Sequence, residues 1–489
     1  EQVNITNGSV IGLRGTAASN LGNMDIAAGS ALIAYQGLVL AGNLTAAGRI
    51  DLSGAAQGGP GSATPGTELA VGGNFTGGGE VILDVSLAEA QLLSSDRLVI
   101  GGNVTGQTTL VMNNVTPGRG AATTGDGILL VQVDGTAAAD AFTLSGPITS
   151  GAFVYDLDFG GQADSNNNFY LVSSGLTPDG AITQAAPFLI ATAFTDLPGL
   201  VKRRAGRVPI GQDNGAVADG PLESLTGAWA QVEGGRNKLQ ADNADRYSTD
   251  LWSLKAGYDA DAGLPLPGKL IVGGYLTYVS AEDTVDSHYG ARAMSSQAIG
   301  AGITATYYAE DGSYADMQGR VMGVRSDLDE KSGVLSSAAA ASLELGHVFA
   351  LGSDASLIPS AQLQYGDTRA SAFEADDGTK ISGFGDSRLA GRLGMALQAT
   401  LGATPESGPL LTASLDYIRD LSPDIGVTVD DVNISTELPP DWIEAGLSLD
   451  LQLGEDALLE LRASYTAAFG ESLADNSSLG ASANFRIGF

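Results

Sequence analysis

The feature that most narrows the fold lies at the C-terminus. Leu479, Ala481, Ala483, Phe485, Ile487 and Phe489 fall on one face of an extended segment, and Gly480, Ser482, Asn484, Arg486 and Gly488 on the other. Side chains of a strand alternate with period two, so this segment is a strand with one apolar and one polar face. The pattern recurs upstream. Ala457, Leu459, Leu461, Ala463 and Tyr465 oppose Leu458, Glu460, Arg462, Ser464 and Thr466, and Ile443, Ala445, Leu447, Leu449, Leu451 and Leu453 oppose Glu444, Gly446, Ser448, Asp450 and Gln452. Ile299, Ala301, Ile303, Ala305 and Tyr307 likewise oppose Gly300, Gly302, Thr304 and Thr306. A half-buried soluble sandwich also alternates. Against it stand apolar faces almost free of charge and aromatics at strand ends, as lipid outside and a wet lumen inside require.

Composition fits that reading. The 489 residues carry 24 Lys and Arg against 56 Asp and Glu, a net charge of −32, which repels phosphate backbones and argues against a nucleic-acid partner. Only 16% of residues are charged, yet 43% are hydrophobic, so the chain folds rather than staying disordered. It has no cysteine, which excludes disulfides, thiolate metal sites and thiol nucleophiles, and its two histidines leave little room for a zinc centre. No cofactor is expected. No run approaches the roughly 18 apolar residues of a membrane helix, which leaves barrel strands untouched as a possibility. The start at Glu1 lacks a basic and an apolar leader segment, so a processed chain or a fragment is expected.

From residue 220 the pattern divides into twelve strands, about 225–237, 247–260, 268–282, 292–309, 312–327, 334–350, 356–367, 382–402, 409–421, 439–453, 457–470 and 479–489. Short connections alternate with longer, acidic ones near 238–246, 283–291, 328–333, 368–381, 422–438 and 471–478. Short turns on the periplasmic side and long loops outside are the asymmetry of an outer-membrane barrel. This parity puts the first strand's start in the periplasm.

The N-terminal part reads differently. Residues 1–95 are short strands between Gly, Asn and Ser, with loosely recurring phrases such as Gly42-Asn43-Leu44-Thr45, Gly73-Asn74-Phe75-Thr76 and Gly102-Asn103-Val104-Thr105. Repetition every 20–30 residues or so is a solenoid signal, here a right-handed parallel β-helix. Asn4, Asn43, Asn74, Asn103 and Asn114 match the glycosylation triplet formally, but read better as turn residues beside β-branched neighbours. Residues 96–179 hold longer strands, and 180–219 form a linker with a helical stretch interrupted by Pro198 and Gly199. Lys202, Arg203, Arg204 and Arg207 cluster there. They suit either a surface helix with cations at its C-terminal end or a helix threaded through an acidic pore. If the stem lies outside the cell, strand parity forces the chain to cross the pore, which favours the second.

Two stretches carry a family resemblance. Ser95-Asp96-Arg97-Leu98-Val99-Ile100-Gly101-Gly102, Leu129-Leu130-Val131, Phe142-Thr143-Leu144 and Gly151-Ala152-Phe153-Val154-Tyr155-Asp156-Leu157 resemble the segment that ends the β-helical passenger of monomeric type V autotransporters. Gly227-Ala228-Trp229-Ala230, Gly312-Ser313-Tyr314-Ala315-Asp316, Ala390-Gly391-Arg392-Leu393-Gly394 and Asn484-Phe485-Arg486-Ile487-Gly488-Phe489 resemble landmarks of their translocator barrel. The resemblance implies an all-β chain: a β-helix passenger stem (1–95), an autochaperone-like junction (96–179), a linker with a pore helix (180–219) and a 12-stranded antiparallel transmembrane β-barrel (220–489). It implies passenger export and display from the outer membrane of a Gram-negative cell, with residues 1–179 on the surface. The expected partners are outer-membrane lipid, periplasmic chaperones and the barrel assembly machinery, for which Phe485, Ile487 and Phe489 resemble the signal. A monomer is expected.

By strand register, Asp316, Arg320, Glu344, Arg388, Arg392, Asp416, Glu444, Glu460, Arg462 and Arg486 face the lumen, where the linker's cations would find counter-ions. Some autotransporters cut their own pore helix at an Asn. The nearest candidate, Asn214, sits in a Gly211-Gln212-Asp213-Asn214-Gly215 turn, and the expectation is no autocleavage there, or cleavage by another protease. An enzymatic passenger is disfavoured, because residues 1–179 contain no histidine. Gly385-Asp386-Ser387 mimics a hydrolase motif only at a strand mouth, and Asp367, Glu374, Asp376 and Asp377 lack a Ca²⁺-loop spacing. The remaining alternatives are a porin-like channel and an adhesin whose activity lies in the passenger.

Overall fold

The computed structural model describes residues 2–13, 21–35, 37–53, 64–88, 94–116, 120–161, 166–209, 225–240, 245–328, 331–352, 354–374, 380–383, 385–402, 408–422, 424–429, 432–454, 456–469 and 476–488. Two compact units emerge. The first is Glu1–Gly180 with short pieces at Asp376–Lys380 and Val429–Val432; the second comprises Ala181–Ala375, Ile381–Thr428 and Asn433–Phe489.

Parallel stacking builds the first unit. In one sheet Val3, Met24, Leu44, Phe75 and Val104 stand in register, strand upon strand. A second sheet stacks strands from Val10–Leu13 through Ala31–Ala34, Arg49–Asp51, Glu80–Ser86 and Thr108–Asn114 to Phe142–Leu144. A third runs from Leu38–Leu40 to Ile128–Val133 and ends on an antiparallel group that includes Phe153–Phe159 and Phe169–Leu176. Each short strand turns alternate apolar side chains inward, and the parallel ladder supplies the hydrogen bonds that a single rung lacks. The recurring Gly-Asn phrases have a direct cause. Asn23 Oδ1 accepts the N–H of Asn43 at 2.9 Å, Asn43 that of Asn74 at 2.8 Å, Asn74 that of Asn103 at 2.8 Å, and Asn103 that of Thr136 at 2.9 Å. The preceding residue must be small, since a Cβ on Gly73 would lie 2.4 Å from the Asn43 side-chain oxygen.

Aromatic packing closes this unit. Phe142 stacks near Phe75 and meets Phe169 edge-on at 4.9 Å. The buried Tyr155 hydroxyl donates to the Ala121 carbonyl at 2.7 Å and accepts its N–H at 3.0 Å. Buried carboxylates lie in the same core. Asp96 accepts the N–H groups of Gly66, Thr67 and Asp84 at 2.7–2.8 Å, and Asp84 accepts from Asn113 at 2.6 Å. Burial pushes the Asp84 carboxyl up to about 6, against the lowering effect of Asn113, with the charges of Asp96 and Asp51 adding to the rise.

The second unit is a closed antiparallel barrel of twelve strands: β1 (Gly227–Gln240), β2 (Arg246–Asp261), β3 (Lys269–Ser287), β4 (Gly290–Tyr308), β5 (Ser313–Leu328), β6 (Lys331–His347), β7 (Ala355–Ala370), β8 (Gly385–Thr400), β9 (Leu410–Asp420), β10 (Asp441–Gln452), β11 (Ala457–Ala468) and β12 (Ser477–Ile487). Every strand pairs with its sequence neighbour, and β12 returns to β1 from Ala228↔Ile487 to Lys238↔Ser477. Closure leaves no free edge.

The outward face is apolar and unusually exposed: Ile299 is 71% accessible, Ile303 70% and Leu276 68%. Tyr258, Tyr307, Phe349 and Phe485 face out towards the short-turn rim, and Trp252, Tyr365, Tyr417, Tyr465 and Phe469 towards the other. An apolar belt between two aromatic girdles suits a lipid bilayer. Among the described residues no helix is long and apolar enough to cross a membrane, which says nothing of this barrel.

Two expected loops are shorter than the sequence pattern implied. β3 and β4 run on to Ser287 and Gly290, leaving His288 and Tyr289 between them, and β5 pairs with β6 as far as Leu328↔Lys331. The acidic residues near 283 belong to strands, because Ala281, Asp283 and Val285 continue the inward alternation. The connections 371–384 and 421–440 carry short strands of their own in a separate four-stranded sheet.

The Asp84 carboxyl yields a pH prediction. Its folded pKa lies above the ordinary 3.8, so the folded stem holds this proton more tightly than the unfolded chain does. Stem stability therefore falls as pH rises from about 4 to about 6 and stays lower above that. Asp84→Asn is expected to raise the midpoint of stem unfolding, followed by protease resistance, at about pH 7.5 and to change little at about pH 4.

Candidate functional site

The inward faces of the barrel strands converge on the linker that runs inside them. Helix α1 (Pro178–Thr195) is apolar nearly throughout and buries Ala185, Phe188, Leu189, Ala191 and Phe194. Arg388 of β8 lies 4.9 Å over the Phe188 ring and reaches the Thr192 hydroxyl. Helical structure stops at Thr195, and a single turn, α2 (Leu200–Arg203), follows Pro198 and Gly199. The basic cluster is therefore absent from the long helix. Lys202 and Arg203 lie in α2, Arg204 is its C-cap, and Arg207 lies in the extended chain beyond. Pro198 cannot donate to a helical ladder, and Gly199 fits a crowded place: a Cβ there would lie 2.5 Å from a Glu344 carboxylate oxygen.

Breaking a helix inside a closed lumen leaves backbone groups unpaired, and the wall supplies their partners. Arg320 donates to the carbonyls of Phe194 and Asp196 at 2.9 and 2.8 Å, where the end of α1 attracts a cation. Gln364 donates to the Thr195 carbonyl at 3.1 Å and accepts the Leu197 N–H at 3.1 Å. Gln362 serves the Leu197 carbonyl and Gln318 that of Pro198. Glu344 accepts the Leu200 N–H at 3.1 Å, and Arg462 donates to the Val201 carbonyl at 2.7 Å. Further along, Asp450 accepts the Gly206 N–H and Gln398 the Val208 N–H.

Charge pairing is concentrated in the same stretch. Lys202 Nζ sits 2.8 Å from Asp416 and 2.6 Å from Glu444, and Arg392 approaches Glu444 at 3.3 Å. Arg203 pairs with Asp316 at 2.6 Å, and Asp316 also accepts from the Thr306 hydroxyl. Arg204 lies 6.0 Å over the Tyr308 ring, and Arg207 donates to the Thr400 hydroxyl. Within the wall, Arg388 pairs with Asp420, Arg462 with Glu460 at 2.6 Å, and Arg486 with Asp259 at 2.6 Å. At the short-turn end an apolar cluster of Leu200, Val208, Leu225, Ile271, Tyr308, Tyr314, Val348, Ile358 and Ala396 fills the lumen. At the other end a cavity of about 390 Å³ remains beside α1, against glycine and serine on β1, β11 and β12.

Residues 228–466 match the autotransporter β-domain, and residues 60–157 match the type 1 autochaperone domain. This chain carries an autotransporter translocator domain with an autochaperone stem before it. The barrel is that of an outer-membrane autotransporter. In fold it resembles the crystal structure of the transport unit of the autotransporter AIDA-I from Escherichia coli, with a TM-score of 0.52 at 14% identity, over 64% of this chain and 99% of that one. In sequence it is 29% identical over 371 residues to the adhesin BmaC autotransporter of Brucella suis biovar 1 (strain 1330), which is 67% of this chain and 11% of that protein. It is also 34% identical over 113 residues to the autotransporter adhesin AIDA-I of Escherichia coli, 23% of this chain and 8% of that protein. The chain thus spans a small fraction of the length of these relatives.

The ten charged positions assigned to the lumen by register all lie on inward faces of the autotransporter barrel, buried or half-buried. Phe485 and Ile487 face outward, each a little over a third accessible; Phe489 lies outside the described residues, as do Asn214, Asp376 and Asp377. The sequence reading missed the glutamines. Gln318, Gln362, Gln364 and Gln398 occupy the same inward parity as the charges, and that parity was the available signal. It also missed the apolar cluster, whose members are scattered over five strands, Val348 just past β6, and the linker.

Asp316→Ala leaves the buried Arg203 guanidinium without its carboxylate. Linker docking is expected to weaken by about 3–5 kcal/mol, read as a lower temperature for loss of the compact band on a detergent gel. Adding Arg203→Met removes the stranded charge and is expected to restore most of the loss.

Proposed function

We propose that residues 195–208 act as the plug of the exporting barrel, so that the pore stays closed once the stem is outside. The observation that carries this reading is the Lys202 ammonium seated between Asp416 and Glu444, with Arg203 on Asp316 nearer the short-turn end. Ion pairs out of bulk water are strong only when both charges are hydrogen-bonded, and each of these carboxylates has a second partner in the wall. The apolar cluster around Leu200 and Val208 adds a dry seal beneath them. Phe485, Ile487 and Phe489 serve in this reading as the signal for the barrel assembly machinery, and the protein acts as a monomer without a catalytic step.

A second reading concerns the passenger. The names of two relatives, BmaC and AIDA-I, describe adhesins, which favours adhesion as the displayed activity, residing in the passenger and leaving the barrel as its anchor.

The plug is tested in planar bilayers with the full chain. Replacing Lys202, Arg203, Arg204 and Arg207 together with Gln is expected to raise single-channel conductance severalfold over the small wild-type value. Unchanged conductance, in protein that still shows the compact gel band, overturns the ion-pair account.

A further inference from the structure

The wall's charges are sorted by depth. Asp259, Asp316, Glu344, Asp450, Glu460 and Arg486 all lie within three residues of the short-turn end of their strands. All six are buried, and five of them are acids. Around the cavity towards the opposite end the excess is reversed, although Asp283 is a buried inward acid farther out. Leaving out the linker's own Lys202 and Asp196, the wall of the 390 Å³ cavity contributes six lysine and arginine side chains against the three carboxylates Glu233, Asp420 and Glu444. Lys255, Arg320, Arg388 and Arg392 stand six or more residues from the short-turn end. A chain of net charge −32 thus has a basic outer vestibule above an acidic inner ring.

The linker brings four cations into the acidic ring and its surroundings, as Lys202, Arg203, Arg204 and Arg207. With them in place the ring is largely neutralised, and its carboxylates are occupied by Arg203, by linker backbone N–H groups or by wall arginines. We propose that the ring is the pore's cation filter, held silent by the linker's cations, and that the basic vestibule is an opposing anion-favouring layer. Rings of carboxylates select cations and rings of Arg and Lys select anions, because each concentrates its counter-ion where the pore excludes bulk water. The linker's charge therefore decides which sign of small ion an unsealed pore carries, in addition to whether it is sealed.

This inference rests on the plug reading, and one set of measurements separates the two. The full chain carrying Lys202→Gln, Arg203→Gln, Arg204→Gln and Arg207→Gln is placed in a planar bilayer across a KCl gradient. Conductance reports the plug; the sign of the reversal potential reports the filter. A cation-selective sign is expected. Adding Asp316→Asn, Glu344→Gln and Glu460→Gln, in protein that retains the compact gel band, is expected to abolish or invert it, since the vestibule's cations then dominate. Conductance that rises with an anion-selective or neutral reversal potential overturns the filter and leaves the plug standing. A cation-selective sign that survives the three wall substitutions also overturns it. Conductance that does not rise overturns both.

Discussion

The hydrocarbon core of a bilayer offers a peptide group no hydrogen-bond partner, and the pairing of β12 with β1 is the contact on which the rest of this structure depends. Eleven residue pairs, from Ala228↔Ile487 to Lys238↔Ser477, convert a twelve-strand meander into a wall without edges. Once the wall is closed, alternate residues are committed. One set meets lipid and is apolar, with Ile299 and Ile303 fully presented; the other set meets whatever fills the lumen. The scarcity of charge in the chain follows, since one face of every strand is denied it.

Closure also creates the problem that the linker solves. The linker lies inside the lumen, and an occupant must satisfy its own backbone there. Helix α1 does so internally. Where the helix breaks between Thr195 and Leu200, the wall does it instead, through Arg320, Gln318, Gln362, Gln364 and Glu344. The stem meets the same demand by repetition. Its parallel sheets pair backbone groups between rungs, and the Asn23–Asn43–Asn74–Asn103 ladder pairs those left over at the turns. In the lumen these side chains serve backbone groups cut off from bulk water, whereas in the stem the exposed Asn ladder ties the turns of successive rungs together.

What the sequence made legible follows from the range of each interaction. The barrel strands were readable because lipid imposes a strict period of two on every one of them, and the twelve strands occur near their expected places. The strand ends near Ser287 and Leu328 were harder, because beyond the lipid the outward face need not be apolar and acidic strand residues look like loop. The helix break was visible as Pro198-Gly199, but the placement of Lys202 to Arg207 beyond the long helix depends on Glu344 and Gln364, more than a hundred residues away. The apolar cluster left no local trace, since Ile271, Tyr314, Val348 and Ile358 are each ordinary inward residues near a strand end.

The asymmetry between linker and wall bears on how the pair is formed. Four cations are concentrated within six consecutive positions, whereas the carboxylates that surround them come from five separate strands and meet only when the barrel has closed. Before closure the wall has no concentrated charge to attract the linker; afterwards the acidic ring is costly until a basic segment enters it. The ordering is thus built into the fold. A closed barrel favours an occupant with this linker's charge over the stem, whose first 179 residues hold 15 acids and only 4 bases.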